Sequence, residues 1–393
     1  MGGAFEARYL APLQLKKLKL GPILGVVHIK SFIISLRQHT REAIHKVMPT
    51  LKEVAELAGV SVATASLSLN HNVRIKESTR KKVLACARAL NYIPNRIGRA
   101  LKDGKTNAIA LLAMTSKRHA DIIHETTLLY YLLEGVLSVV DRAHYTLRFD
   151  VKSHEDPTLM SYFERVIGEG ALDGIVVSPQ FAGEYRFVEL LNRSQFPYVM
   201  LHPPRFVDSL NYVDMGNYRG GQIVGELMKR CGYRKIAFIN GPESHVDAME
   251  RERGLLDSLA SAGVLQFVKR YGDFTIPSGF SAMRSVLREF HPEAVFCGND
   301  YMAAGALKCL HESGIRVPEE VAIVGYDNND VCLGVVPSLT TVDAHHEKVG
   351  KLLATGLLAL IDNKVKSVNK TVDPTLIERS SHLRPRQRSR KSG

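Results

Sequence analysis

No stretch of this 393-residue chain reaches the roughly 18 uninterrupted apolar residues that mark a membrane-spanning helix, so no membrane span is expected. Cysteine is scarce. Its five residues, Cys86, Cys231, Cys297, Cys309 and Cys332, form no CxxC pair and are odd in number. That excludes a disulfide framework and a cysteine zinc site, and it fits buried thiols in a reducing compartment. The phosphate-cradling loops GxGxxG and GxxxxGK[ST] and the nucleophile elbow GxSxG are also missing, which argues against an enzyme. His345 and His346 have no second ligand cluster to join, so neither a metal nor another cofactor is expected. An apolar fraction of 45% with 23% charged residues excludes a disordered or collagen-like chain.

What is present is an uneven charge. Residues 1–105 carry 19 Lys/Arg against 6 Asp/Glu, residues 106–378 carry 27 against 34, and residues 379–393 carry 6 against none. A basic front on a mildly acidic body points to a polyanion-binding module joined to a separate domain; a merely solvated basic surface is the alternative. The length suits two or three domains.

Residues 1–48 fit the rest poorly. Lys16, Lys17, Lys19 and Lys30 interrupt the apolar part, and no small-residue cleavage site follows, unlike a signal peptide. Ordered patterning begins at Pro49-Thr50-Leu51, directly after Met48. The expectation is that Met48 is the natural start and residues 1–47 an upstream extension; an amphipathic or targeting arm is the competing reading.

Residues 49–94 read as three helices. Thr50 and Glu53 have capping-box spacing, Leu51, Val54, Ala55 and Ala58 share a face, and Gly59 suits a left-handed stop. Ser61 caps a second helix, Val62 to Leu69, and a third runs from Glu77 with Val83, Leu84, Ala87 and Leu90 as its stripe. Helix, short glycine turn, helix is the helix-turn-helix layout. The whole string, from Thr50-Leu-Lys-Glu-Val-Ala-Glu-Leu-Ala-Gly through Ser78-Thr-Arg to Leu90-Asn-Tyr-Ile-Pro-Asn95, closely resembles the DNA-binding headpiece of the LacI/GalR family.

That resemblance implies a double-stranded DNA partner. Ser61, Thr64, Asn70 and Thr79 match phosphate-holding positions, and Ser66 lies on the same helix. Val62, Ala63 and Leu67 match positions that face base edges and often carry polar side chains. Here they are apolar, which leaves contact with thymine methyl groups, or packing of Val62 and Leu67 against the protein. Residues 95–105 are the implied hinge. Leu101 matches a leucine that wedges between base pairs, Arg99 suits the negative minor groove, and Asn95 opens the segment. Gly98 stands where alanine is common and weakens a hinge helix by about 1 kcal/mol.

From residue 106 strands and helices alternate. Strands are expected at 108–112, 145–149, 174–178, 198–201, 235–239, 267–271, 294–297 and 321–325. Helices are expected at 128–140, 159–167, 220–231, 250–262, 278–288 and 302–313. Near-continuous apolar strands between helices mean parallel sheets covered on both faces. The expected fold is an all-α helix-turn-helix headpiece plus an α/β core of two doubly wound parallel-sheet subdomains. Leu172-Asp-Gly-Ile-Val-Val-Ser178, Phe296-Cys-Gly-Asn-Asp300 and Gly314 through Asp327 carry the family resemblance into residues 106–383 and imply the type-I periplasmic-binding-protein fold. Family topology places one subdomain at about 106–209 and 342–372, the other at about 210–341 and 373–383, and a basic tail at 384–393.

The cleft between subdomains lies where strands end. The resemblance implies four ligand-binding residues there. Arg251 would reach hydroxyls or carboxylates through its planar fork. Asn299 and Asp327 would bond a polyol, and Phe274 would stack on it. Each has a plainer reading: Arg251 paired with Glu250 or Glu252 on the surface, Phe274 in the core, Asn299 and Asp327 as caps. Asp300 is expected to cap the helix after it. Gly216 replaces a customary aspartate, His202 stands where an acid is frequent, and Leu128 and Leu129 replace an aromatic pair.

Three functions compete. A transport-type sugar-binding protein would lack residues 49–103, and an enzyme would show a motif that is missing. The reading that remains is a ligand-responsive, sequence-specific transcriptional regulator of the repressor type, cytoplasmic and nucleoid-associated. Its expected partners are a palindromic operator, a second copy of itself, and an effector that is a sugar or related polyol, with a nucleobase as second choice.

Overall fold

The computed structural model describes residues 49–69, 74–92, 104–115, 127–181, 185–202, 211–260 and 266–383. The chain separates into two compact units near residue 96. The expected extension and basic tail, and most of the hinge, lie outside the described residues.

The first unit holds three helices: α1 (Leu51–Ala58), α2 (Val62–Leu69) and α3 (Glu77–Ala89). Thr50 and Glu53 close the capping box, with the Glu53 N–H donating to Thr50 Oγ1 at 3.3 Å and the Thr50 N–H to Glu53 Oε2 at 2.6 Å. Gly59 ends α1 at φ 63, in the left-handed region. The core is built of small side chains, Val54, Ala55, Ala58, Ala65, Val83 and Ala87, which lets three short helices approach closely.

The second unit contains two parallel sheets. The first has the order β11-β5-β4-β3-β1-β2, where β1 is Ala108–Thr115, β2 Thr146–Ser153, β3 Gly174–Pro179, β4 Tyr198–Leu201, β5 Tyr212–Asp214 and β11 Asn369–Thr371. The second has the order β7-β6-β8-β9, with β6 Lys235–Asn240, β7 Gln266–Tyr271, β8 Ala294–Cys297 and β9 Ala322–Val324. Period-two alternation buries both faces of β1. Ile109, Leu111 and Ala113 join one cluster and Ala110, Leu112 and Met114 another. Helices α4 (Thr127–Val140) and α12 (His346–Ile361) cover the first sheet, together with α5 (Leu159–Gly168) and α6 (Arg186–Arg193). Helices α7 (Asn217–Arg230), α8 (Val246–Leu259), α9 (Ile276–Glu289) and α10 (Asp300–Glu312) cover the second. A short α11 (Val331–Gly334) follows, and β10 (Thr341–Asp343) pairs antiparallel with β12 (Thr375–Ile377).

Three details differ from expectation. β5 bonds to β4 and β11, so the chain leaves the first lobe after Asp214 rather than near 209. The return follows β10, close to residue 341, and the next helix, α12, packs on the first sheet. Helix α8 begins at Val246, four residues before the expected Glu250, and the free Val246 N–H of its first turn donates to the Gln180 carbonyl of the first lobe at 2.9 Å. Asn299 caps α10, so Asp300 is its first residue and not its cap.

Candidate DNA-binding face and ligand cleft

In the first unit, Ser61 caps α2 by accepting from the Thr64 N–H at 3.1 Å, and its hydroxyl pairs with that of Thr64 at 2.8 Å. Ser61, Val62 and Ala63 are exposed at the helix start, while Thr64, Ser66, Leu67 and Thr79 are half-buried. Val62 keeps 46% of its surface, so the headpiece core does not claim it. Asn70, Asn95, Arg99 and Leu101 lie outside the described residues.

In the second unit, the carboxyl ends of both sheets converge. Each sheet reverses its strand order beside its first strand, the place where such folds open a crevice. Arg251 is buried here, on α8, rather than paired with Glu250 or Glu252 on the surface. Its Nε donates to Asn217 Oδ1 at 2.9 Å, its NH1 donates to the Gly298 carbonyl, and its NH2 lies 3.6 Å from Asp327 Oδ1 and 4.0 Å from Asp247 Oδ2. The Tyr326 ring stacks under the guanidinium at 3.8 Å. Asp327 follows β9 at φ 105, a conformation that the chain holds by donating its N–H to the Val342 carbonyl at 2.8 Å. His346, at the start of α12, brings Nε2 to 3.4 Å from Asp327 Oδ1.

The other two expected residues have partners within the protein. Asn299 spends its Oδ1 on the Met302 N–H at 2.9 Å and an amide hydrogen on the Phe274 carbonyl at 2.9 Å. That is the capping role weighed against ligand contact. Phe274, at φ 65, turns its ring against His245 at 5.0 Å, and His245 packs edge-on to Phe181 of the first lobe at 5.3 Å. His154 stacks on Phe181 at 5.2 Å, so an aromatic wall crosses the cleft.

Asp247 and Asn217 were not expected here, and His346 was weighed only as a metal ligand. Asp247 was legible as an acid four residues before Arg251 on one helix face, but α8 was started too late to include it. Gly216 is explained by shape: at φ 67, a side chain there would stand 2.8 Å from Pro374 Cδ, where the customary aspartate would be strained. A cavity of about 250 Å³ opens beside Asp327, lined by Tyr131, Asn328, Asp343, His345, His346, Glu347 and Lys348.

The electrostatics follow from burial. Burial alone would raise the Asp247 pKa, but His202 at 2.9 Å outweighs it and holds the carboxyl well below its usual range. Burial pushes His245 down to about 4. Asp300, buried and near the Asp327 charge, is pushed up to about 7.

The family profile for bacterial regulatory proteins of the lacI family matches residues 50–95, and that for a periplasmic binding protein-like domain matches residues 226–382. The HTH-type transcriptional regulator CelR of Thermobifida fusca is 31% identical over 345 residues, covering 86% of this chain and 98% of that protein. The chain belongs to the LacI family of bacterial regulatory proteins. Another member, the HTH-type transcriptional repressor PurR of Proteus mirabilis, is 32% identical over 344 residues, covering 85% of this chain and 97% of its own. Among solved structures, a CelR–cellobiose complex is similar with TM-score 0.62 and 30% identity, covering 85% of this chain and 99% of that one. A lac repressor dimer bound to operator and the anti-inducer ONPF has the same fold, with TM-score 0.75 at 24% identity over 86% of this chain and 99% of that one. This LacI-family chain is a DNA-binding transcriptional regulator with a ligand-binding core. Among the described residues, no helix is long and apolar enough to cross a membrane.

Proposed function

We propose that this protein is a homodimeric, cytoplasmic repressor that holds a palindromic operator through α2 and changes its grip when a sugar or related polyol occupies the cleft. The observation that carries the reading is the pair of buried Arg251 with half-buried Asp327 at the carboxyl ends of the second sheet, facing His346 of the first lobe. Asp327 Oδ1 and both ring nitrogens of His346 are buried without a hydrogen-bond partner. Native structures leave few such atoms unpaired. Hydroxyls, which both donate and accept, suit them. The polar lining of the adjoining cavity favours a polyol over a flat base. At the DNA, Ser61, Thr64 and Thr79 support phosphate contacts, and exposed Val62 and Ala63 support reading of thymine methyl groups. Arg99 and Leu101 would serve the minor groove.

The test is selection of a DNA site from a random pool, then affinity measurements with and without a panel of mono- and disaccharides, nucleobases forming the comparison arm. The expected result is a palindrome bound less tightly as salt rises, with log K falling linearly in log salt, and an affinity that a carbohydrate changes. Binding without sequence preference, or a response to nucleobases alone, contradicts the reading.

A further inference from the structure

The two lobes meet at several points, and two of these contacts join opposite ionisable groups, His346 with Asp327 and His202 with Asp247. His202 leaves the carboxyl end of β4 on the first lobe at φ 64, and its Nε2 lies 2.9 Å from Asp247 Oδ1 in the first turn of α8 on the second lobe. Both side chains are buried. Asp247 Oδ1 also accepts from Asn217 Nδ2 at 3.1 Å, and Asn217 Oδ1 accepts from Arg251 Nε at 2.9 Å. A single chain of contacts therefore runs from the first lobe through Asp247 and Asn217 to the guanidinium that faces Asp327.

Charge balance asks for a proton in this chain. One guanidinium stands between two carboxylates, buried Asp247 and half-buried Asp327, and a buried charge left uncompensated is costly. His245 faces the same carboxylate from the start of α8, but burial keeps it neutral down to about pH 4. His346 faces Asp327 instead. His202 faces Asp247 and, more distantly, Asp214 at the end of β5, with Arg251 opposing. Burial disfavours its imidazolium, yet the facing Asp247 outweighs burial and the pKa is raised.

We propose that His202 is a positioning residue for effector binding: its imidazole takes up a proton as the cleft closes, latches the first lobe to Asp247 and so sets Arg251 for the effector. This goes beyond the function proposed above, and its test needs no effector, so the two stand or fall separately. In an open cleft water surrounds His202, and an imidazole in water titrates at about 6.5. In the closed cleft the facing Asp247 carboxylate lets His202 keep its proton to higher pH. Closure therefore binds a proton in the window above about 6.5, and raising pH through that window favours the open form, by up to about tenfold per pH unit for one linked proton.

Small-angle scattering of the full-length protein, with no ligand added, between pH 6 and 9 reads this directly. The wild type is expected to expand as pH rises. His202→Gln can place an amide toward Asp247 but cannot titrate, and should give one radius at every pH. Asp247→Asn removes the partner from the other lobe and should do the same, which keeps the test decisive if His202→Gln does not fold. His311→Gln, an exposed histidine at the end of α10, should keep the wild-type profile. A wild-type radius that ignores pH, or a His202→Gln or Asp247→Asn protein that retains the wild-type profile, overturns the proposal.

Discussion

Single residues at this cleft do work that their types alone do not announce. Asp300 is an example. Beside the Asn299 cap, it looks like a second capping group. Instead, its Oδ1 accepts from the Thr341 hydroxyl at 2.6 Å and its Oδ2 from the Asn329 N–H at 3.0 Å. It thereby ties the start of α10 to β10 and to the turn that carries Asp327. Burial and the Asp327 charge push its pKa up to about 7. An unfolded aspartate releases its proton near 3.9, so between about pH 4 and 7 the folded state holds a proton that the unfolded state has lost. Stability should therefore fall as pH rises across that window, by up to about 1.4 kcal/mol per unit. Asp300→Asn should flatten the fall. Urea denaturation midpoints at half-unit steps of pH check this, and a slope equal in both proteins would deny Asp300 the role.

At the scale of elements, the cleft depends on how closely helices approach. Gly221 of α7 and Gly254 of α8 face each other's backbones. A Cβ on Gly254 would stand 1.9 Å from the Tyr218 carbonyl, and one on Gly221 would stand 2.1 Å from the Arg251 carbonyl. This contact brings Asn217, at the head of α7, within reach of Arg251. Gly135 and Gly350 join α4 to α12 in the same way, with distances of 2.1 Å to the Glu347 carbonyl and 2.2 Å to the Leu132 carbonyl. Gly254→Ala must push α7 and α8 apart. Overpacking of this kind costs about 1–3 kcal/mol, a fall in Tm of ~5 °C, and effector affinity should drop with it. A thermal scan beside an effector titration would show both, and an unchanged Tm would mean that the helices are not held this closely. The helix-turn-helix and most of the strands were legible, because capping boxes, glycine stops and apolar runs are local signals. Arg186–Arg193 was missed although Phe187, Val188 and Leu191 share a face, since that run is short and rich in charge. The short strands β5, β10, β11 and β12 take their pairing from distant parts of the chain, and no local pattern encodes that.

For the whole molecule, the sequence separated a basic helical head from a two-sheet core, and family resemblance named the cleft residues. It did not disclose which of them face each other. The partners of Arg251 come from α7, α8 and the ends of β8 and β9, segments far apart in sequence. His202 read as an oddity until its partner across the cleft was seen. The functional claim is that occupancy of this cleft governs attachment to DNA, as coupling between two separate sites. The measurement that bears on it most directly is operator affinity of the wild type and of Asp327→Ala, each with and without the carbohydrate found to act. The account predicts that the two proteins bind operator alike without the carbohydrate, that the wild type changes affinity by about fivefold or more on adding it, and that Asp327→Ala does not respond. A full response from Asp327→Ala would contradict it.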